Sequence, residues 1–135
     1  MVASLYDVGK RFPELWGGYT VDLDMTIQRW VDDTRASLRY AATPNHTLVR
    51  YEDLVADARP IVVDLCERLD LPFEETMLTG YRSVASEVVL SNEPWKEATD
   101  RPITSSGGRK FQSVFTDDQQ AYILERIEQA QIGDL

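Results

Sequence analysis

A short run of apolar and β-branched residues lies near the middle of the chain, and the other predicted elements are arranged around it. The run spans residues 47 to 51, TLVRY, with Pro-Asn before it and Glu-Asp after it. An apolar run of this length between turn residues is typical of one buried strand. Since every residue of the run except Arg50 is apolar, aromatic or β-branched, we expect the strand to be covered on both faces, as in a parallel sheet.

An amphipathic helix is predicted directly after this strand. Asp57 is placed to cap the N-terminus of the helix, and Pro60 falls in its first turn, where a missing N–H costs nothing. Steps of three or four residues place the apolar side chains on one face, namely Ile61, Val62, Leu65, Cys66 and Leu69. A strand, an acidic turn and a helix make up half of a βαβ unit.

Helical periodicity predicts four further helices. The first has Leu5, Val8 and Phe12 on its inner side, and the last opens at Thr116, where Gln119 completes a capping box. Pro13, the Thr-Pro-Asn turn and Gly80 are expected to end the first three of these helices, which span residues 2 to 12, 24 to 42 and 74 to 80.

Three segments are expected to lack regular structure. The LWGGYT segment contains two consecutive glycines, and residues 91 to 110 are rich in Pro, Gly, Ser and Thr. Residues 83 to 90 fit either a helix or an extended run and are interpreted as irregular.

The single strand creates a physical difficulty. A lone strand leaves the N–H and C=O groups of both edges unpaired, and burying such groups is costly. Either a partner chain or a second copy completes the sheet, or an upstream segment supplies the missing strands, or the fold departs from the pattern.

Composition narrows the class of protein. A chain of 135 residues, 43% of them hydrophobic, is expected to form one domain with a core and not to be disordered. The formal charge of −9 argues against nucleic acids and anionic membranes, although a single phosphorylated small molecule is compatible with it. No apolar run approaches the roughly 20 residues that cross a bilayer, and the N-terminus does not resemble a secretory signal, so a cytoplasmic protein is expected.

Cysteine and histidine each occur once. Cys66 and His46 are too few for a zinc site, and one cysteine cannot form a disulfide within the chain. We interpret Cys66 as a small buried core residue and His46 as a turn residue.

Two segments carry candidate anion-binding chemistry. Gly107 and Gly108 precede Arg109 and Lys110, so the backbone can approach an anion while the two cations surround it; a solvated loop is the alternative. Ser4, near the start of the first helix, could donate to phosphate beside free N–H groups, or could simply cap the helix.

The segment from Val49 to Leu54, VRYEDL, with the helix that follows it, resembles the C-terminal half of sulfotransferases that use the sulfate donor PAPS. Residues 1 to 6 are similar to the end of the family's 3′-phosphate element, and residues 107 to 116 to its late basic loop. The resemblance implies an α/β fold: one partial domain over residues 1 to 135, the C-terminal half of a P-loop-like fold, mostly helical with one buried strand at 47 to 51.

The resemblance also implies a function. Ser4, Arg109 and Lys110 would contact the 3′ phosphate of PAPS or adenosine 3′,5′-bisphosphate, and Tyr51 would lie beside the adenine. A tyrosine at a strand end also suits a ligand site in a parallel sheet, the alternative being an ordinary core tyrosine. The family transfers a sulfuryl group from PAPS to a small-molecule hydroxyl or amine acceptor.

Parts of the family's machinery have no counterpart here. The phosphosulfate loop with its lysine, the arginine of the 3′-phosphate element and the usual catalytic histidine are missing, so no catalytic residue is assigned and the chain is expected to be inactive alone. The alternative function is a noncatalytic binding or assembly module that uses the exposed strand edge for a partner.

Overall fold

The computed structural model describes residues 1–20, 22–89, 93–96 and 108–132. The chain divides into two compact units, one formed by Met1–His46 with Ser106–Leu135 and the other by Thr47–Ser105. We call them unit 1 and unit 2 and describe each separately.

Regular structure in the described residues is entirely helical. Within this part of the chain no helix has the length and apolar character needed to cross a membrane. A short 3₁₀ helix spans Pro94–Lys96, and the α-helices are, in order, α1 (Val2–Arg11), α2 (Pro13–Thr20), α3 (Leu23–Tyr40), α4 (Tyr51–Ala56), α5 (Ala58–Arg68), α6 (Thr76–Thr79), α7 (Tyr81–Val88), α8 (Arg109–Val114) and α9 (Asp117–Gln129).

Unit 1 contains the main hydrophobic core. Helix α1 packs against α2, α3 and α8, and α9 packs against α3 and α8. Tyr6 and Phe115 lie with their ring centres 5.2 Å apart, and Phe111 continues this aromatic cluster at 5.4 Å from Phe115. The buried apolar residues of the core are Val2, Ala3, Tyr6, Ile27, Val31, Phe115 and Ile123.

Helices α3 and α9 run in the same direction. Asp24 in the first turn of α3 contacts Tyr122 of α9, and Arg35 farther along α3 contacts Ala130 at the end of α9. The last carbonyls of a helix lack partners within the helix and carry partial negative charge. Arg35 donates from Nη2 to the Ala130 carbonyl over 2.7 Å, and this bond satisfies one such group.

Unit 2 has fewer buried residues than unit 1 among those described. Helix α5 packs against α4 and α6, and α6 packs against α7. Cys66 and Ala85 are the buried hydrophobic residues among those described in this unit. Arg59 at the start of α5 forms a two-pronged ion pair with Glu75, both contacts measuring 2.5 Å.

Several predictions about helices are confirmed. Asp57 accepts from the backbone N–H of Arg59 at 3.2 Å and caps α5, whose last turn contains the buried Cys66. Thr116 and Gln119 form the reciprocal capping box of α9. Helix α3 corresponds to the predicted helix at 24 to 42, and α6 ends at Gly80 as expected.

The predicted strand at 47 to 51, and with it the α/β fold of a P-loop-like sulfotransferase half, is wrong. Residues 46 to 50 form no strand, and Tyr51 begins helix α4. A strand is stabilised by pairing with a neighbour, and no described residue provides one. Glu52 and Asp53 lie in the first turn of α4, where acidic side chains favour a helix N-terminus.

Other segments that we expected to be irregular also contain helices. The LWGGYT segment lies within α2, and most of the segment at 83 to 90 belongs to α7. The described end of the predicted loop at 91 to 110 includes the first residues of α8. In α1 the buried residues are Val2, Ala3, Tyr6 and Gly9, whereas Leu5, Val8 and Phe12 are only half-buried.

Candidate functional site

Ser4 lies in the first turn of α1 and is exposed. Its backbone N–H donates to the Met1 carbonyl over 2.9 Å, and Met1 occupies the cap position. Ser4 is therefore inside the helix, and its interpretation as a simple cap is wrong. An exposed hydroxyl one turn into a helix remains able to donate to an anion at that end.

Lys110 is brought to the same helix by the packing of α8 on α1. Its Nζ lies 3.0 Å from Oδ2 of Asp7. Asp7 follows Ser4 by three residues, so the two side chains are neighbours on one face of α1. Arg11, one turn beyond Asp7, lies 3.2 Å from the same carboxylate oxygen. We call the surface formed by Ser4, Asp7, Arg11 and Lys110 the α1–α8 surface.

Helices α1 and α8 together are strongly basic for this acidic chain. They contain four cationic residues, Lys10, Arg11, Arg109 and Lys110, and their one carboxylate is Asp7. The Nζ of Lys10 lies 4.5 Å from the ring centre of Tyr6, and such a position over an aromatic face favours the cation. The chain as a whole has a formal net charge of −9, so the net charge of α1 and α8 together is opposite in sign to that of the chain.

Gly108 sets the direction of the chain into α8. It is the N-cap residue and has a positive φ of 79°, a conformation that glycine adopts at little cost. Added side-chain atoms would meet nothing within 4 Å, so the backbone angle, and not space, requires glycine here. Arg109 and Lys110 follow as the first two residues of α8; Gly107 lies outside the described residues.

Tyr51 belongs to unit 2, and the structure places it differently from the prediction. It is the first residue of α4, and its side chain is 60% exposed. The argument from the end of a parallel strand fails because no strand is present at 47 to 51. The alternative of a core tyrosine is also wrong, since the ring is largely open to solvent.

His46 lies in the turn that follows α3, as predicted. Its backbone N–H donates to the Thr43 carbonyl at 3.3 Å, and its ring centre is 6.2 Å from that of Tyr40. The Nε2 atom is buried without a hydrogen-bond partner. The described residues contain no group of three or more His, Cys, Asp or Glu side chains suited to a metal ion.

Sequence reasoning missed Asp7 and Arg11. Their spacing of four residues on a predicted helix indicates an ion pair, and this was the signal available. The contact of Asp7 with Lys110 could not be found in this way because it spans most of the sequence. The structure thus brings Ser4 and Lys110 to one surface, with Arg109 beside Lys110 on α8. No protein-family model, no curated protein and no solved structure matches this chain.

Proposed function

We propose that this chain supplies the adenosine 3′-phosphate side of a PAPS site in a sulfotransferase and that it is inactive alone. The reaction would transfer a sulfuryl group from PAPS to a hydroxyl or amine acceptor. In this proposal the α1–α8 surface binds the 3′ phosphate, and the phosphosulfate end is bound by groups outside this chain. A cytoplasmic location belongs to the same proposal.

The contact between Lys110 and Asp7 is the observation that carries the proposal. It joins two helices whose sequences resemble separate parts of a 3′-phosphate site, and those parts lie more than 100 residues apart. Lys110 and Ser4 then supply an ammonium group and a hydroxyl to one surface. Arg109 adds a guanidinium, which can donate two parallel hydrogen bonds to a phosphate.

Asp7 competes with a phosphate for Lys110, and the strength of this pair decides whether binding can occur. Both side chains are partly exposed, with 39% and 27% of their surface open. Exposed ion pairs contribute only about 0 to 1 kcal/mol. Hydrogen bonds from cations to phosphate are among the stronger polar contacts. A phosphate can therefore bind Lys110 beside Asp7 or in its place. Without a phosphate, Asp7 holds the Lys110 side chain in position.

Calorimetric titration with adenosine 3′,5′-bisphosphate tests the proposal, with adenosine 5′-monophosphate as the matched ligand that lacks the 3′ phosphate. We expect the bisphosphate to bind at least about tenfold more tightly, which corresponds to about 1.4 kcal/mol. Equal affinity for the two nucleotides, or no binding by the folded chain, would contradict a 3′-phosphate site.

Variants at Lys110 of the α1–α8 surface and at Arg109, the preceding residue of α8, locate the site. Lys110→Gln and Arg109→Ala should each weaken binding of the bisphosphate several-fold, because each removes a charge-assisted contact. Arg39→Gln is the control, since Arg39 is an exposed cation in the last turn of α3. If all three variants bind alike, the nucleotide binds elsewhere.

A binding or assembly module is the second candidate, and unit 2 favours it. The two buried hydrophobic residues of its described part contrast with six large apolar side chains that are 40% or more exposed: Leu48, Tyr51, Leu69, Leu71, Met77 and Val84. Exposed apolar surface of this kind is common at protein interfaces. The strand edge first expected to bind a partner is absent from the described residues, so helices would form the contact.

Sedimentation of the chain across a range of concentrations tests self-association. We expect Leu69→Ser with Leu71→Ser to lower the associated fraction, with Leu15→Ser in unit 1 as the control. If the chain is a monomer at every concentration, a second copy of this chain is not the partner.

A further inference from the structure

A cavity of about 120 Å³ lies between α3 and α9 in unit 1. Its apolar lining includes Ile27 and Val31, two core residues that are each 3% exposed. Polar side chains from both helices form its sides. The full lining is Ile27, Gln28, Val31, Arg35, Arg126, Gln129 and Ala130.

The charged groups that line this cavity are two guanidiniums. Two nearby carboxylates are engaged with lining amides: Asp32 accepts from Gln28 at 2.9 Å, and Glu125 accepts from Gln129 at 2.9 Å. Neither carboxylate belongs to the lining of the cavity. The lining itself therefore carries two positive charges and no negative one, with Asp32 and Glu125 just outside it, in a chain of formal charge −9.

Both arginines keep hydrogen-bond donors for a ligand. Arg35 uses one N–H for the Ala130 carbonyl at 2.7 Å, and this bond fixes the orientation of its guanidinium. Arg126 donates to Gln129 at 3.4 Å, which is long for such a bond. A guanidinium has five N–H groups, and its planar fork matches the two oxygens of a carboxylate.

One local effect opposes an anion here. The C-terminal end of α9 carries partial negative charge, and Ala130 lies at that end. Arg35 already bonds the Ala130 carbonyl and so reduces this effect. The field of an exposed helix end is also weaker than two charge-assisted hydrogen bonds. The charges of Arg35 and Arg126 therefore outweigh the partial negative charge of the helix end, and the lining attracts an anion.

We infer that this cavity binds a short-chain carboxylate. The carboxylate oxygens accept from Arg35 and Arg126, and the aliphatic chain lies on Ile27 and Val31. A volume of about 120 Å³ suits a small acid of about six heavy atoms such as butyrate. A ligand so small binds with a Kd on the order of millimolar. This site is separate from the α1–α8 surface and does not depend on the proposed function.

Titration of the isotope-labelled chain with sodium butyrate, followed by NMR of backbone amides and arginine Nε–H groups, tests the inference. Sodium chloride keeps the ionic strength constant, and butyramide is the neutral analogue of the same size. We expect saturable shifts in α3 and at the end of α9 with butyrate and none with butyramide. Equal shifts with butyramide, or no saturation at concentrations on the order of 100 mM, would overturn the carboxylate site.

Variants and a second anion sharpen the test. Arg126→Gln should weaken butyrate binding about tenfold, and Arg126→Lys should give an intermediate loss because it keeps the charge without the fork. Arg29→Gln removes an arginine of α3 that pairs with Asp33 at 3.5 Å and does not line the cavity, so this variant should bind butyrate normally. Unchanged affinity in Arg126→Gln contradicts the inference. If inorganic phosphate binds the same residues more tightly than butyrate does, the carboxylate site is overturned and the cavity is a general oxyanion site.

Discussion

The hydroxyl of Tyr122 donates a hydrogen bond to the carboxylate of Asp24 over 2.6 Å, across 98 positions of the sequence. This bond raises the pKa of the Tyr122 hydroxyl, with smaller contributions from burial and from the charge of Asp24. It joins the N-terminal parts of α3 and α9, and the bond from Arg35 to Ala130 joins these two helices farther along. Two polar contacts thus fix the register of a parallel helix pair.

We expect Tyr122→Phe to lower the melting temperature of the chain at neutral pH. Because the folded pKa lies above the unfolded value, the stabilisation is fully present below about pH 10 and is lost as the pH rises through the folded pKa. The difference in melting temperature between the wild type and the variant should therefore shrink at high pH. Tyr40→Phe is the control, since Tyr40 is an exposed tyrosine on α3 whose ring contact with His46 a phenylalanine can keep. A difference that does not change with pH would argue against the Asp24 bond as the cause.

In unit 2 the pair formed by Arg59 and Glu75 predicts a dependence at acidic pH. The hydrogen bonds from Arg59 lower the pKa of Glu75, with a further contribution from the charge of Arg59, and desolvation opposes the shift. A lowered folded pKa contributes stability above about pH 4.3, and this stability is lost as the pH falls through the folded pKa. The melting temperature of Glu75→Gln should therefore be lower than that of the wild type at pH 7, and the two melting temperatures should converge in acid. Glu67→Gln, at an exposed carboxylate of α5, should track the wild type throughout.

Removing a fully buried apolar side chain of the unit 1 core should have a large effect. Ile123 is 0% exposed, so Ile123→Ala leaves a cavity and should lower the free energy of unfolding by about 2 to 5 kcal/mol. Leu124 is its neighbour on α9 and is 59% exposed, so Leu124→Ala should change the same quantity by less than about 0.5 kcal/mol. Urea unfolding of both variants gives the comparison. Similar losses would show that α9 does not present Ile123 to the core.

The capping box of α9 provides a test of local structure. Thr116 accepts from the Gln119 N–H at 3.3 Å, and Gln119 accepts from the Thr116 N–H at 3.1 Å. Thr116→Ala should lower the free energy of unfolding by about 0.5 to 2 kcal/mol. Thr116→Ser keeps the hydroxyl and should lose much less in the same urea experiment. Equal losses in the two variants would assign the effect to the methyl group of Thr116.

The candidate site shows how far sequence reasoning extends. Glycines before two cations indicate Arg109 and Lys110 as candidates, and Gly108 has a positive φ at the start of α8. Asp7 was missed as the partner of Lys110 because their contact depends on the packing of α8 against α1, and no local pattern encodes it. Tyr51 was interpreted through a strand that the described residues do not form.

The sequence by itself determined the helix starts at Asp57 and Thr116, because a capping side chain bonds N–H groups only two or three residues away. It also indicated the buried position of Cys66 through the period of α5. Only the tertiary structure decided whether residues 47 to 51 form a strand, because strand pairing requires a neighbour that a local pattern cannot supply. The tertiary structure likewise selected Val2, Ala3 and Tyr6 as the buried face of α1, since periodicity identifies apolar positions but not which of them a neighbouring helix will cover.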